Sequence, residues 1–368
     1  MFIYLKRILN KDNFNKEYTS QFNGIYKNIL LPLLILTNIE EEIALDNESV
    51  NGYCIDIKDI ITDNKDKKIK STVAGLIKVF HKKNNVSNSF IIKYTVLLLE
   101  FMITGNENLL KGNENFSDND IIIILLKNYP KEKIAIALFL ALNLLADVDH
   151  KDKHIHDIYL KDFFERVFQI LTKTENILLK HQLIIFISNY SLRFYEADSN
   201  AFGLQILYLY NCLFDTKYSL ISNSASDAIQ HFFGKKYKDD PNIKNTLLKA
   251  AIQNTANFEN HIANIQISNF FDVLYQILLS FDKFDNQFFI QIFDKICKRI
   301  KVEEERHRRL KFKVKKEKNK TKKKAMKQTD LNDYNIIINK CFNILRMLIN
   351  SKTFVVKNLN QIEECLRP

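Results

Sequence analysis

The sequence predicts an all-α protein, built as a right-handed α-solenoid of HEAT-like helical hairpins. Three observations predict it. Apolar residues recur at steps of three and four along most of the chain, the period of an amphipathic helix. Only 7 Gly, 4 Pro and no Trp occur in 368 residues, too few turn formers for an all-β sandwich or barrel. The hydrophobic fraction is 46%, and the length suits two or three domains or one repeat array.

The elements follow in order. Ile29–Leu36 and Ile121–Leu126 have the composition of strands, yet they sit among helical neighbours without hairpin turns and read as buried helix. Phe164, Val167, Phe168 and Leu171 share one helical face, as do Leu183, Phe186, Ile187, Tyr190 and Phe194. Phe270, Leu274, Ile277, Leu278 and Phe281 repeat the pattern, followed by Phe289, Ile292, Phe293, Ile296 and Ile300. Ile338, Cys341, Phe342, Leu345, Leu348 and Ile349 form the last such stripe. The breaks between stripes are short and polar, at 62–68, 83–88, 105–120, 148–156, 196–200, 235–242 and 282–286. About fifteen helices result, and short connections make neighbours antiparallel. At about 40–47 residues per HEAT unit, roughly eight would fit. Each hairpin has an apolar face that only the next hairpin can cover, so stacking extends one continuous core and leaves a long concave wall.

Composition removes several function classes. Neither G-x-G-x-x-G nor G-x-x-x-x-G-K-[ST] occurs, so no nucleotide cradle is expected, and no cofactor. No G-x-S-x-G elbow occurs either, and the chain reads as a binding protein rather than an enzyme. The five cysteines (54, 212, 297, 341 and 365) are widely spaced and contain no C-x-x-C, which points to free thiols in a reducing compartment and no zinc ribbon. The longest apolar run, Ile134–Ala146, is interrupted by Asn143 and falls short of the ~20 residues that span a bilayer. No membrane insertion is expected, and residues 1–10 lack the pattern of a secretory signal.

Charge is concentrated in one place. Residues 298–327 hold 16 of the 54 Lys/Arg and only 4 of the 43 Asp/Glu, a net of +12, which leaves 38 basic against 39 acidic residues elsewhere. Hence the chain divides into helical repeats over 1–301, a basic and disordered insert over 302–330, and a continuing repeat over 331–368. The first part of the tract can extend the preceding helix; the Lys-rich remainder cannot bury apolar surface, which is the reason to expect disorder. Three readings of the tract are open: a solvated insert, a nuclear localisation signal or contact to RNA or another polyanion, and a plug against an acidic concave wall. The candidate polyanion-binding residues are Arg306, Arg308, Arg309, Lys311, Lys313, Lys315, Lys316, Lys318, Lys320, Lys322, Lys323 and Lys324. Phe312 is the one aromatic among them, so binding through phosphates, steep in salt, is expected and base stacking is not. Deleting 302–327 is expected to leave thermal stability nearly unchanged.

Two other features carry a bland reading. Asp147, Asp149, His150, Asp152, His154, His156 and Asp157 crowd one segment, but it reads as a polar loop without metal-ligand spacing, so no metal is expected. His181 and His231 lie on helical segments and read as core or surface histidines rather than catalytic ones.

Ile25–Asp59 contains Pro32-Leu33-Leu34, an acidic turn at Glu40-Glu41-Glu42, Asp46-Asn47 and Tyr53. This succession resembles the central portion of importin-β-family karyopherins, the nuclear transport receptors. Residues 177–233 are similar to a later helix–turn–helix succession of that family, with Ser222–Ile229 as its helix of small residues. The helices expected over 263–281, 284–301 and 331–350 keep the same order, most like importins of the importin-seven and importin-eight type and the receptor that re-exports importin-α. The resemblance implies a HEAT-repeat superhelix that binds protein cargo on its concave surface, shuttles between nucleus and cytoplasm, and has Ran GTPase and nucleoporins among its partners. The main Ran-GTP contacts of the family lie in N-terminal repeats that this segment does not match, so no Ran-contact residue is carried over. The family's long loop is acidic where this chain is basic. The alternative is a helical-repeat scaffold outside transport, binding RNA or ribosome-assembly partners through the basic tract.

Overall fold

A computed structural model describes residues 23–36, 73–77, 88–110, 116, 120–145, 153–194, 199–214, 218–235, 245–251, 264–280, 286–316 and 320–350. Among these residues every regular element is a helix and no strand occurs. The ten long helices are α1 (Asn88–Thr104), α2 (Ile121–Asn128), α3 (Lys131–Leu145), α4 (Lys153–Lys173), α5 (Ile177–Phe194), α6 (Ser199–Cys212), α7 (Ser219–Lys235), α8 (Asn264–Leu279), α9 (Asn286–Lys316) and α10 (Lys320–Asn350). Shorter helical pieces cover 23–36, 73–77 and 245–251. The chain forms two compact units, Met1–Gln205 with Lys217–Ser224 and Ile206–Thr216 with Ala225–Pro368.

Both ambiguous apolar stretches are helical where they are described, which agrees with the sequence reading. The first contains Pro32 inside a helix, and the chain accommodates it with a π-turn at Tyr26–Leu30. Leu31 N–H donates to Tyr26 O, one residue further back than an α-helix allows. Proline has no N–H to continue the ladder and crowds the carbonyl four residues earlier, so a widened turn just before it relieves the conflict. Pro32 and Leu34 are buried in this helix. The acidic turn at 40–42, Asp46, Asn47 and Tyr53 lie outside the described residues.

Helix ends obey local chemistry. Gly105 follows α1 with φ of +67°, and its N–H donates to Phe101 O at 2.8 Å. A left-handed residue after the last turn closes a helix in this way, and only glycine adopts it without strain. Asn176 caps α5, its side-chain oxygen accepting from Leu179 N–H at 3.0 Å. Asp120 stands at the start of α2, but its carboxylate pairs with Lys27 Nζ at 2.7 Å instead of capping the helix.

In the first unit, α3 and α4 each pack against both α1 and α5. Phe186 on α5 is the centre of the core. Its ring meets Phe139 edge-on at 5.5 Å and Phe163 edge-on at 5.8 Å, and stacks with Tyr190 at 4.7 Å. Tyr190 Oη donates to Leu142 O at 2.8 Å, so a buried phenol keeps its hydrogen bond. Tyr26 Oη and Thr95 Oγ1 lie 2.8 Å apart. The single Thr95 proton goes to Ile91 O, so Tyr26 is the donor. Leu99, Met102, Phe139, Ile170 and Leu179 floor a cleft of about 430 Å³, with Lys131, Glu132, Arg166 and Lys173 around it.

In the second unit, α10 packs against both α9 and α8. Tyr210, Phe214, Phe270 and Phe271 form its aromatic cluster, with Phe214 and Phe270 at 5.4 Å. Lys340 Nζ reaches from α10 to α8, donating to Ser268 Oγ at 2.7 Å and to the Asp272 carboxylate at 2.5 Å.

Five expectations need correction. The basic tract extends the preceding helix, α9 running through 302–316, but its Lys-rich remainder is not disordered where it is described, and α10 begins at Lys320 rather than near 331. Deleting 302–327 would remove buried Glu303 and Val314, so stability is not expected to stay unchanged. Lys, Arg, Glu and Leu are strong helix formers, and the packing seam described below continues into the tract. Likewise α4 begins at Lys153, so the second half of the expected 148–156 loop is helical. Finally, Phe342 and Ile349 are exposed, although Ile338, Cys341, Leu345 and Leu348 of the same stripe are buried. The stripe is narrower than the sequence implies because α9 and α8 cover α10 along positions 337, 341, 344 and 348.

Phe186→Ala removes the ring on which α3, α4 and α5 meet. We expect it to destabilise the fold by about 3–5 kcal/mol, read as a shift in the urea unfolding midpoint.

Candidate polyanion-binding hairpin

Helices α9 and α10 are the two longest of the described residues, at 31 residues each, and they pack along one another. The stacked rings of His307 and Tyr334, 4.3 Å apart, fix their antiparallel register. On α9 the seam passes through Ile292, Ile296, Arg299, Glu303, His307, Leu310 and Val314, at steps of three and four. On α10 it passes through Tyr334, Ile337, Cys341, Ile344 and Leu348. This is the spacing of a two-helix coiled-coil seam. It continues past Lys298, where the sequence turns basic, because buried Glu303 and Val314 and half-buried His307 and Leu310 keep the rhythm.

The Glu303 side chain is fully buried and pairs with Arg299, itself only 7% exposed, one turn earlier. Arg306 Nη1 approaches the other carboxylate oxygen at 3.6 Å. Glu303 is thus clamped by cations at i−4 and i+3, the spacings that face one another on a helix. Burial pushes the neighbouring Cys341 thiol up to about 12, with the Glu303 charge adding to the shift and Arg299 opposing it. Tyr334 is also raised, first by burial and then by Glu304 and Glu303.

The candidate residues divide by this geometry. Arg306 serves the buried clamp and is half-buried. Arg308 and Arg309 are exposed and pair with Glu304 at 4.0 Å and Glu305 at 2.9 Å, each one turn back. Exposed pairs of this kind contribute roughly 0–1 kcal/mol, so both arginines can exchange their glutamate for a phosphate at little cost. Lys311, Lys313, Lys315 and Lys316 are exposed, and no ion pair to them occurs among the described residues. Lys318 lies outside the described residues. Lys320, Lys322, Lys323 and Lys324 lie in the first turns of α10, where only the backbone is described.

Two features escaped the sequence reading. The Glu-Glu-Glu-Arg-His-Arg-Arg run at 303–309 counts toward net charge in the sequence, whereas its i,i+3 and i,i+4 spacings signal pairs. Phe312 has no aromatic neighbour in the sequence to suggest stacking, yet it is 68% exposed on this helix. Of the Asp- and His-rich segment at 147–157, residues 147–152 lie outside the described residues, and only the backbone of His154, His156 and Asp157 is described. Among the described residues no group of three or more His, Cys, Asp or Glu is placed to hold a metal ion. His181 Nδ1 lies 2.5 Å from Ser224 Oγ, whose proton goes to Leu220 O, so the histidine is the donor in a packing contact.

No protein-family model, curated protein or solved structure matches the chain.

Two tests follow from the clamp. Glu303→Ala strands Arg299 in the seam, and we expect about 3–5 kcal/mol of lost stability by chemical denaturation; Arg299→Met with Glu303→Leu, which removes both charges, should recover most of it. Cys341 ionises from its ordinary 9.0 in the unfolded chain but only at about 12 when folded. Folded stability from this group is therefore complete below pH 9 and falls as pH rises from 9 to 12. Cys341→Ala should flatten that part of the alkaline stability curve.

Proposed function

We propose that this chain is a protein-binding segment of a nuclear transport receptor of the importin-β type, a superhelix of helical hairpins that holds protein cargo along its concave wall. The observation that carries the reading is the succession of described helices whose apolar faces pack against one another, as in α1, α3, α4 and α5. A chain built this way offers extended surface in place of an enclosed reaction chamber, and affinity comes from many modest contacts. The Pro32-Leu33-Leu34 signature on a buried helix and the helix of small residues over 222–229 support the family assignment. In such a receptor, small rotations between repeats sum to large changes of curvature, which lets a GTPase favour one shape and expel cargo. Shuttling between nucleus and cytoplasm, and contact with nucleoporins, belong to the same proposal. No helix among the described residues is long and apolar enough to cross a membrane.

A second reading is favoured by the hairpin. The exposed cations of α9 stand on a packed helix, the arrangement of a scaffold that binds RNA or ribosome-assembly partners by their phosphates.

A pull-down with Ran loaded with GTP or GDP separates the two. GTP-selective retention is the expected outcome for a transport receptor. Retention of RNA without either form of Ran would favour the scaffold, and a chain that retains neither would refute both.

A further inference from the structure

We propose that the outward face of α9 is a binding platform for single-stranded RNA, with Phe312 as the ring on which a base stacks. The inference rests on polyanion binding by the hairpin and is independent of the cargo reading. Phe312 follows Glu303 by nine residues, which at 3.6 residues per turn sets it about 180° round the helix from the buried clamp. It therefore points away from α10, in keeping with its 68% exposure. A ring in this position adds nothing to the seam.

What surrounds the ring is specific. Arg308 and Arg309 lie one turn before it and Lys315 and Lys316 one turn after, at i−4, i−3, i+3 and i+4, and all four are exposed. These are the positions that neighbour residue 312 on a helix surface. Their aliphatic stems can lie along the flanks of the ring while the charged ends reach outward. The result is one flat apolar face with cations on both sides along the helix axis. A stacked nucleotide would meet the ring with its base and the two cation pairs with the phosphates that precede and follow it.

Charge and shape select the occupant. The tract's net positive charge calls for a polyanion. In a duplex the base faces are already stacked and only phosphates are offered, so Phe312 would have nothing to meet. A single strand offers both phosphates and open base faces, and stacking on an aromatic tolerates any base. An anionic membrane surface would select several apolar side chains on this face, whereas the positions in line with Phe312 toward the start of the helix are Lys301 and Glu305.

The test uses the full chain and fluorescence anisotropy, with a labelled mixed-sequence RNA of about twelve nucleotides, within the range that single-strand sites cover. A duplex RNA of the same length and heparin serve as comparison probes. Phe312→Leu keeps an apolar side chain but removes the ring; we expect it to weaken single-strand binding about tenfold, with duplex affinity and the salt slope unchanged. Phe312→Tyr should bind as the wild type does. Lys311→Gln, Lys313→Gln, Lys315→Gln and Lys316→Gln together should weaken both RNAs and flatten the salt slope. If Phe312→Leu binds the single strand as tightly as wild type while heparin and duplex still bind, the platform is refuted and polyanion binding stands. If none of the three probes binds the wild-type chain, polyanion binding by the hairpin is refuted and the platform with it.

Discussion

The second unit depends on a packing seam that outlasts the apolar sequence feeding it. Up to Ile296 the seam of α9 is ordinary hydrophobic burial. Beyond it the chain places Glu303 where an apolar residue would be expected, and neutralises it from its own helix with Arg299 and Arg306. A lone carboxylate there would be prohibitively costly; a carboxylate between two cations is tolerated. That clamp lets the helix continue to Lys316, carrying a run of cations that would otherwise have no packed support.

The first unit meets a similar demand by different means. Phe186 gathers rings from α3 and α4 into one cluster, and the polar groups that must be buried find local partners. Tyr190 uses a carbonyl of α3, and Tyr26 uses a threonine hydroxyl whose own proton is already committed. The π-turn before Pro32 belongs with these: it is a small departure from regular geometry that lets an apolar helix remain buried.

Much of the helical organisation is legible in the sequence, since a period near 3.6 in apolar residues has no other common cause. The stripes of α4, α5 and α8 are buried largely as their spacing implies. Residue type alone does not decide exposure where charges pair along a helix. Glu303 is buried because its neighbours at three and four positions neutralise it, and this is visible only when charge is read as pairs. Phe312 is exposed for the converse reason. Its three- and four-residue neighbours are Arg308, Arg309, Lys315 and Lys316, so no apolar stripe includes it. Phe342 and Ile349 fit the period of α10 but stand outside the arc that its partners cover.

Setting the cations on a packed rod has a thermodynamic consequence. In a floppy tail each lysine engaging an anion must first give up backbone freedom, and that loss is charged against every contact. On α9 the loss was incurred once, when the chain folded, and the spacing between successive charges is fixed by the rise of the helix. For the polyanion binding proposed above, the hairpin would therefore act as a stiff comb, sensitive to the pitch of a ligand's charges where a disordered tail would respond to total charge alone.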